Sequence, residues 1–138
     1  METTLIHRAT LGAAGLTALG IGLAITLAPH GFYAGYGIDI GSDPAQLSEL
    51  RAPGACLAAL GAVILAGAWR SGMARLSAAL GALVFLAFAF GRLVGLALDG
   101  PPGNAILAAL GIELGIGALC LLSLRRRPRA GVMRPGRA

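Results

Sequence analysis

Lysine is missing from this chain altogether, acids are few, and histidines fewer still: 138 residues hold 11 arginines, six Asp or Glu and two His. Without Lys there is no glycine loop followed by Lys to cradle a phosphate, and neither His-Glu-x-x-His nor a His/Cys/Asp group at metal-ligand spacing occurs. Ser77, Ser123 and the threonines have no base partner nearby in sequence. The expectation is a protein with no catalytic residues, no metal and no cofactor, that is, not an enzyme. Charge of both signs is scarce as well, 12% of residues against about 25% in a soluble domain, with 57% hydrophobic and a mean hydropathy of +0.79. That deficit excludes an ordinary soluble fold. Cysteine is limited to Cys56 and Cys120, near opposite ends of separate apolar runs. At about 1.5 Å of rise per residue they lie too far apart to bridge, and both read as small buried hydrophobes.

What the chain does have is long apolar runs. Residues 9–28 carry no charge over the length of one bilayer-spanning helix, too long for the apolar region of a signal peptide. Pro29 ends this first span, and residues 29–43 read as a glycine-punctuated loop holding His30, Phe32, Tyr33, Tyr36, Asp39 and Asp43, with its tyrosines at the membrane interface. Asp43-Pro44-Ala45-Gln46 reads as a helix start: Asp as N-cap, Pro at the first position, Gln completing a capping box. The second span covers 48–69, with Pro53 expected to kink it near Glu49 and Arg51 and to free carbonyls for that arginine. A turn at Ser71-Gly72 leads to a third span, 76–98. Asp99-Gly100-Pro101-Pro102-Gly103 turns the chain into a fourth, 104–124. The fold class is therefore all-α, an integral membrane four-helix bundle over residues 1–125, followed by a disordered basic tail, 126–138.

The +5 net charge does not point to nucleic acid, because six of the arginines lie in the last fourteen residues, directly after an apolar run. With both termini cytoplasmic, the inner side holds Arg8, Arg70, Arg75 and those six, while Asp39, Asp43 and Asp99 face outward. The positive-inside rule thus gives an N-in, C-in protein of the inner (plasma) membrane.

Small residues recur every fourth position in every span: Ala14-Ala18-Gly22, Gly54-Ala58-Ala62-Ala66, Ala74-Ala78-Ala82, Gly91-Gly95 and Gly111-Gly115. Such stripes let membrane helices approach closely, here within one bundle before contact with a second copy. Ala-Leu-Gly occurs once per span, and the second and fourth spans share Leu-Ala-Ala-Leu-Gly after a Pro-Gly. A duplicated hairpin and compositional coincidence both fit this.

Charge inside apolar runs is costly, about 2.5–3.5 kcal/mol per group at a helix centre on insertion scales, so such groups seek partners. Arg92 and Asp99 lie seven residues apart on nearly one face of the third span. Antiparallel pairing through the turn brings Arg92 within a turn of Glu113 in the fourth. Glu49 and Arg51 enter from the outer end of the second span. The expectation is one outward-facing polar cluster of Arg92, Glu113, Asp99, Glu49 and Arg51. It could fix helix register, it could hold the carboxylate, phosphate or quinone-like oxygen of an amphipathic ligand, or it could move protons.

Gly31-Phe32-Tyr33 through Tyr36-Gly37-Ile38-Asp39, Glu49-Leu50-Arg51-Ala52-Pro53-Gly54, Gly91-Arg92 with Asp99-Gly100, and Glu113 resemble a bacterial family of small four-span proteins described as a domain of unknown function. The overall layout is similar to DoxX-like membrane proteins. The resemblance covers roughly residues 8–125 and implies a compact four-helix membrane bundle without an assigned activity. Unlike in DoxX-like oxidoreductase subunits, nothing in this sequence argues for haem or a redox partner, since neither histidine is placed for axial ligation mid-membrane. The functional expectation is a non-enzymatic membrane protein whose polar cluster binds a small amphipathic ligand or a partner subunit. The rivals are a proton-coupled carrier or channel, requiring Glu113 to change protonation during turnover, and a structural subunit of a membrane complex. Expected partners are the lipid bilayer, an amphipathic ligand, and a second copy or another membrane subunit, with no nucleic acid.

Overall fold

The computed structural model describes residues 2–125, with side chains from Leu5. The basic tail, and with it the expected disorder, lies outside them. The helices are α1 (Glu2–Leu27), α2 (Pro29–Ala34), α3 (Pro44–Ala66), α4 (Ala74–Asp99) and α5 (Asn104–Arg125), with a 3-10 turn at Ser71–Met73. All but α2 are long and apolar enough to cross a membrane, and no strand occurs among the described residues. The protein is an all-α, multi-pass membrane four-helix bundle.

Leu11 and Ile64 are fully buried, yet much of the core is alanine and many large apolar side chains face outward. Ala14, Ala18, Ala78, Ala82 and Ala89 are buried, whereas Leu16, Leu83, Phe90 and Leu122 are exposed. Small residues occupy the interior because lipid already solvates the large ones, and helices associate through close packing instead.

The closest packing joins α1 to α3, which run antiparallel in one register. A Cβ added at Gly15 would lie 2.5 Å from the Leu65 backbone, one at Gly22 2.3 Å from Ala58 N, and one at Gly61 2.3 Å from Leu19 N. Arg8 adds a polar clasp at one end, its Nε donating to the Ala68 carbonyl at 2.7 Å. The next most extensive pairing is α4 with α5, and contact between the two pairs is much thinner. Ser77, fully buried, donates its hydroxyl to the Val63 carbonyl at 2.9 Å and holds α4 to α3.

The small-residue stripes divide accordingly. Ala14-Ala18-Gly22 is buried throughout, but the α3 contact face is Gly54, Leu57, Ala58, Gly61 and Ile64, so Ala62 turns outward. Gly91, Gly111 and Gly115 meet nothing within 4 Å of an added Cβ, so the expected packing of those pairs inside the bundle does not occur.

Residues 29–43 are not all loop. Pro29 occupies the first position of α2, Phe32 N–H bonds back to the Ala28 carbonyl at 3.0 Å, and Gly37 then turns the chain at φ 72°. Asp43 caps α3 as expected, accepting from Ala45 N at 3.2 Å, but the Gln46 carboxamide oxygen lies against Gly41 and does not complete a capping box. Helix α3 remains helical through Pro53. The acids Asp39, Asp43 and Asp99 mark one end of the bundle; Arg8, Arg70 and Arg75 mark the other.

Candidate functional site

Helix α4 has 26 residues, about 39 Å at 1.5 Å each, which exceeds a typical hydrocarbon core of about 30 Å. Asp99 at its last turn therefore reaches the interface and is exposed, while Arg92 lies seven residues, about 10 Å, deeper along the same helix. The Gly100 turn, φ 93°, folds α5 back beside α4 and brings Glu113 to the depth of Arg92.

The two meet closely. Arg92 Nε donates to Glu113 Oε1 at 2.9 Å and Oε2 at 2.8 Å, one N–H shared by both carboxylate oxygens. This is the sole ion pair among the described residues, with side chains 27% and 11% exposed. Neither terminal nitrogen of Arg92 has a hydrogen-bond partner among them, so only one of five N–H groups is engaged. No buried side-chain nitrogen or oxygen of the described residues lacks a partner, so these terminal nitrogens face accessible space.

That space is a cavity of about 640 Å³ between α1 and the α4/α5 pair, with Arg92 and Glu113 in its wall. Its volume falls in the range of about 300–1,000 Å³ typical of small-molecule pockets. Ile21 and Ile25 of α1, Val84, Phe85 and Phe88 of α4, and Ile112 of α5 give it an apolar lining. Phe32, Tyr33 and Tyr36 border it toward the aspartate end, Phe32 packing edge-on against Tyr33 with ring centroids 5.3 Å apart. The cavity exists because α1 is pulled against α3 by backbone-to-backbone glycine contacts, leaving thin contact with α4 and α5 on its other side.

The other expected members of the cluster lie elsewhere. Glu49 is exposed at the opening of α3, and Asp99 is exposed at the end of α4. Arg51 donates to the Thr26 carbonyl at the end of α1, not to carbonyls freed by Pro53, and borders a separate shallow groove. One reason is visible in α1: Thr26 lies in its last turn, where no backbone N–H of the described residues donates to the Thr26 carbonyl, and this acceptor is left for the guanidinium. The five charges thus form a pair, a helix-end clasp and two solvated acids. Cys56 and Cys120 are both free thiols, the first exposed and the second buried.

Residues 6–124 match the family described as Domain of unknown function (DUF4345). The chain belongs to that family. The match covers all four spans, so the charged pair, the cavity and the aromatic segment all lie within the family domain. Neither curated proteins nor solved structures gave a match.

Sequence reasoning found the pair but not the cavity. Thr17, Ile21 and Ile25 look like any other apolar stretch of a span, and no local signal shows which face of α1 lines a void. The aromatic cluster at 32–36 did carry a signal, since it lies at the same end as Arg92, but it reads equally as an interfacial belt.

Proposed function

We propose that this DUF4345 protein is a non-enzymatic membrane protein that binds a small amphipathic molecule in the cavity, polar end at Arg92 and apolar body among Ile21, Ile25, Val84 and Phe88. The observation that carries this reading is the arginine itself. A guanidinium with four of five N–H groups uncommitted, bordering an apolar cavity, leaves donors that cost about 1–3 kcal/mol each if desolvated without an acceptor. Water or a ligand oxygen must meet them, and the apolar lining favours a ligand that brings its own apolar body.

Proton movement has less support. Among the described residues Glu113 is the one carboxylate bordering the cavity; Glu49 and Asp99 stand apart from it, so no succession of described carboxylates leads across the bundle. The arginines at one end and aspartates at the other support an N-in, C-in orientation in the plasma membrane, with the aromatic border of the cavity on the outer side.

Native mass spectrometry of the gently solubilised full-length protein tests the reading. A discrete adduct distinct from bulk phospholipid, retained by the wild type and lost from Arg92→Met, is expected. A wild type that carries only bulk lipid, or an adduct indifferent to Arg92→Met in a folded variant, would overturn it.

A further inference from the structure

Building on the cavity reading, we infer that the ligand's polar end is an uncharged acceptor, a carbonyl-type oxygen, and not an anion. Arginine in a pocket ordinarily suggests a carboxylate or phosphate. Here the charge is already matched: Glu113 sits 2.8 Å from Arg92 Nε, and among the described residues no second cation borders the cavity. Arg51 is engaged at the end of α1 and faces a different groove; Arg8, Arg70 and Arg75 lie at the opposite end of the bundle. An anion meeting the terminal nitrogens of Arg92 would stand beside the Glu113 carboxylate in a low-dielectric wall, where like charges repel strongly and no extra positive charge compensates.

The remaining polar groups of the cavity are neutral hydroxyls. Thr17, Tyr33 and Tyr36 border it, and none of their hydroxyls has a hydrogen-bond partner among the described residues. The threonine is notable because Thr10 and Thr26 both turn their hydroxyls back to the carbonyl four residues earlier, at 2.9 and 2.7 Å. The wall therefore offers a surplus of donors at zero net charge. That combination selects an uncharged molecule with one or more acceptor oxygens and an apolar body. Such oxygens occur both in neutral lipids with ester carbonyls and in non-lipid ketones.

Matched photoreactive probes separate these cases. Full-length protein in phosphatidylcholine nanodiscs is labelled at neutral pH with three diazirine probes of equal chain length, a methyl ketone, a monoacylglycerol and a fatty acid, and the labelled residues are mapped by peptide mass spectrometry. The ketone or the monoacylglycerol labels the buried lining residues Ile25, Val84 or Phe85 at least roughly tenfold more than the fatty acid, a preference worth about 1.4 kcal/mol. Stronger labelling by the ketone assigns a non-lipid carbonyl, and stronger labelling by the monoacylglycerol assigns a neutral lipid. In Glu113→Gln, where Arg92 is no longer neutralised, the preference moves toward the fatty acid. Should that variant fail to fold, the wild-type ratio alone decides. Cavity labelling by the fatty acid equal to or above the neutral probes overturns the uncharged assignment while leaving the cavity as a binding site. Labelling confined to outward residues such as Leu83 and Leu122 with all three probes overturns the cavity reading, and this inference with it.

Discussion

The pentapeptide Leu-Ala-Ala-Leu-Gly stands twice in this chain, at 57–61 in α3 and 107–111 in α5, and does opposite things. In α3, Leu57, Ala58 and Gly61 are buried, and Gly61 lies so close to α1 that a methyl group there would meet Leu19 N at 2.3 Å. In α5, Leu107, Ala108 and Gly111 are exposed, and a methyl group on Gly111 would meet nothing within 4 Å. Identical residues make identical helix; the neighbour decides whether a glycine is a contact or a gap. The α1/α3 pair is thus a frame of interlocked backbones, and the α4/α5 pair carries an ion pair and open surface.

The largest effect expected from this comparison is at Gly61. In Gly61→Ala the new methyl meets backbone, which has no rotamer to yield, so α1 and α3 must separate. Reversible unfolding in mixed micelles is expected to show a loss of about 2–3 kcal/mol. A loss below about 0.5 kcal/mol would mean that the pair is not the rigid frame described here.

Glu113→Leu comes next. Removing one partner from a fully buried pair costs about 3–5 kcal/mol. Arg92 is 27% exposed and borders the cavity, where water can reach it, so about 2 kcal/mol is expected. Glu113→Gln keeps an acceptor for Arg92 Nε and loses roughly half as much. The double variant Arg92→Met/Glu113→Leu leaves no orphaned charge and recovers most of the loss, a coupling that a double-mutant cycle in the same micelles measures directly. Additive single losses would remove the pair from the account of how α4 and α5 are held.

Ser77→Ala sharpens the contrast from the seam between the two pairs. Its hydroxyl bonds the Val63 carbonyl, an acceptor that the Gly67 N–H passes over for Ile64, so deletion leaves a carbonyl near the end of α3 without a partner and the cost should lie toward the upper end, about 1.7 kcal/mol, for interhelical hydrogen bonds in membranes.

How much of this was legible follows from where the information lies. Four spans are readable because each is a long apolar run carrying at most two charges, and the observed helices lie over them, from Asn104–Arg125 against an expected 104–124 to Glu2–Leu27 against an expected 9–28. Arg92 with Glu113 was readable because a short turn fixes the register of two antiparallel helices. Arg51 was not, because its partner is a carbonyl at the end of α1, and any helix end offers the same group. Nor were the packing stripes, because an alanine- and glycine-rich chain spaces small residues at four everywhere. The cavity was least legible of all, being the difference between two interfaces and not a property of any residue.

The smallest predicted effect is therefore the most discriminating. Gly111→Ala adds to α5 the same single carbon that Gly61→Ala adds to α3, within the same five residues. Open space surrounds it, and alanine holds a helix better than glycine, so the change should be neutral or stabilising by up to about 0.5–1 kcal/mol. Opposite signs from one substitution in one pentapeptide would show that Gly61 of α3 is retained for contact and that Gly111 of α5, unlike the buried Gly117 against Leu86, is not needed for it. If Gly111→Ala instead costs more than about 1 kcal/mol, something must cover that face of α5 in the membrane. Crosslinking between copies would then say whether the cover is a second molecule of the same chain, which would place the subunit contact on the helix that carries Glu113.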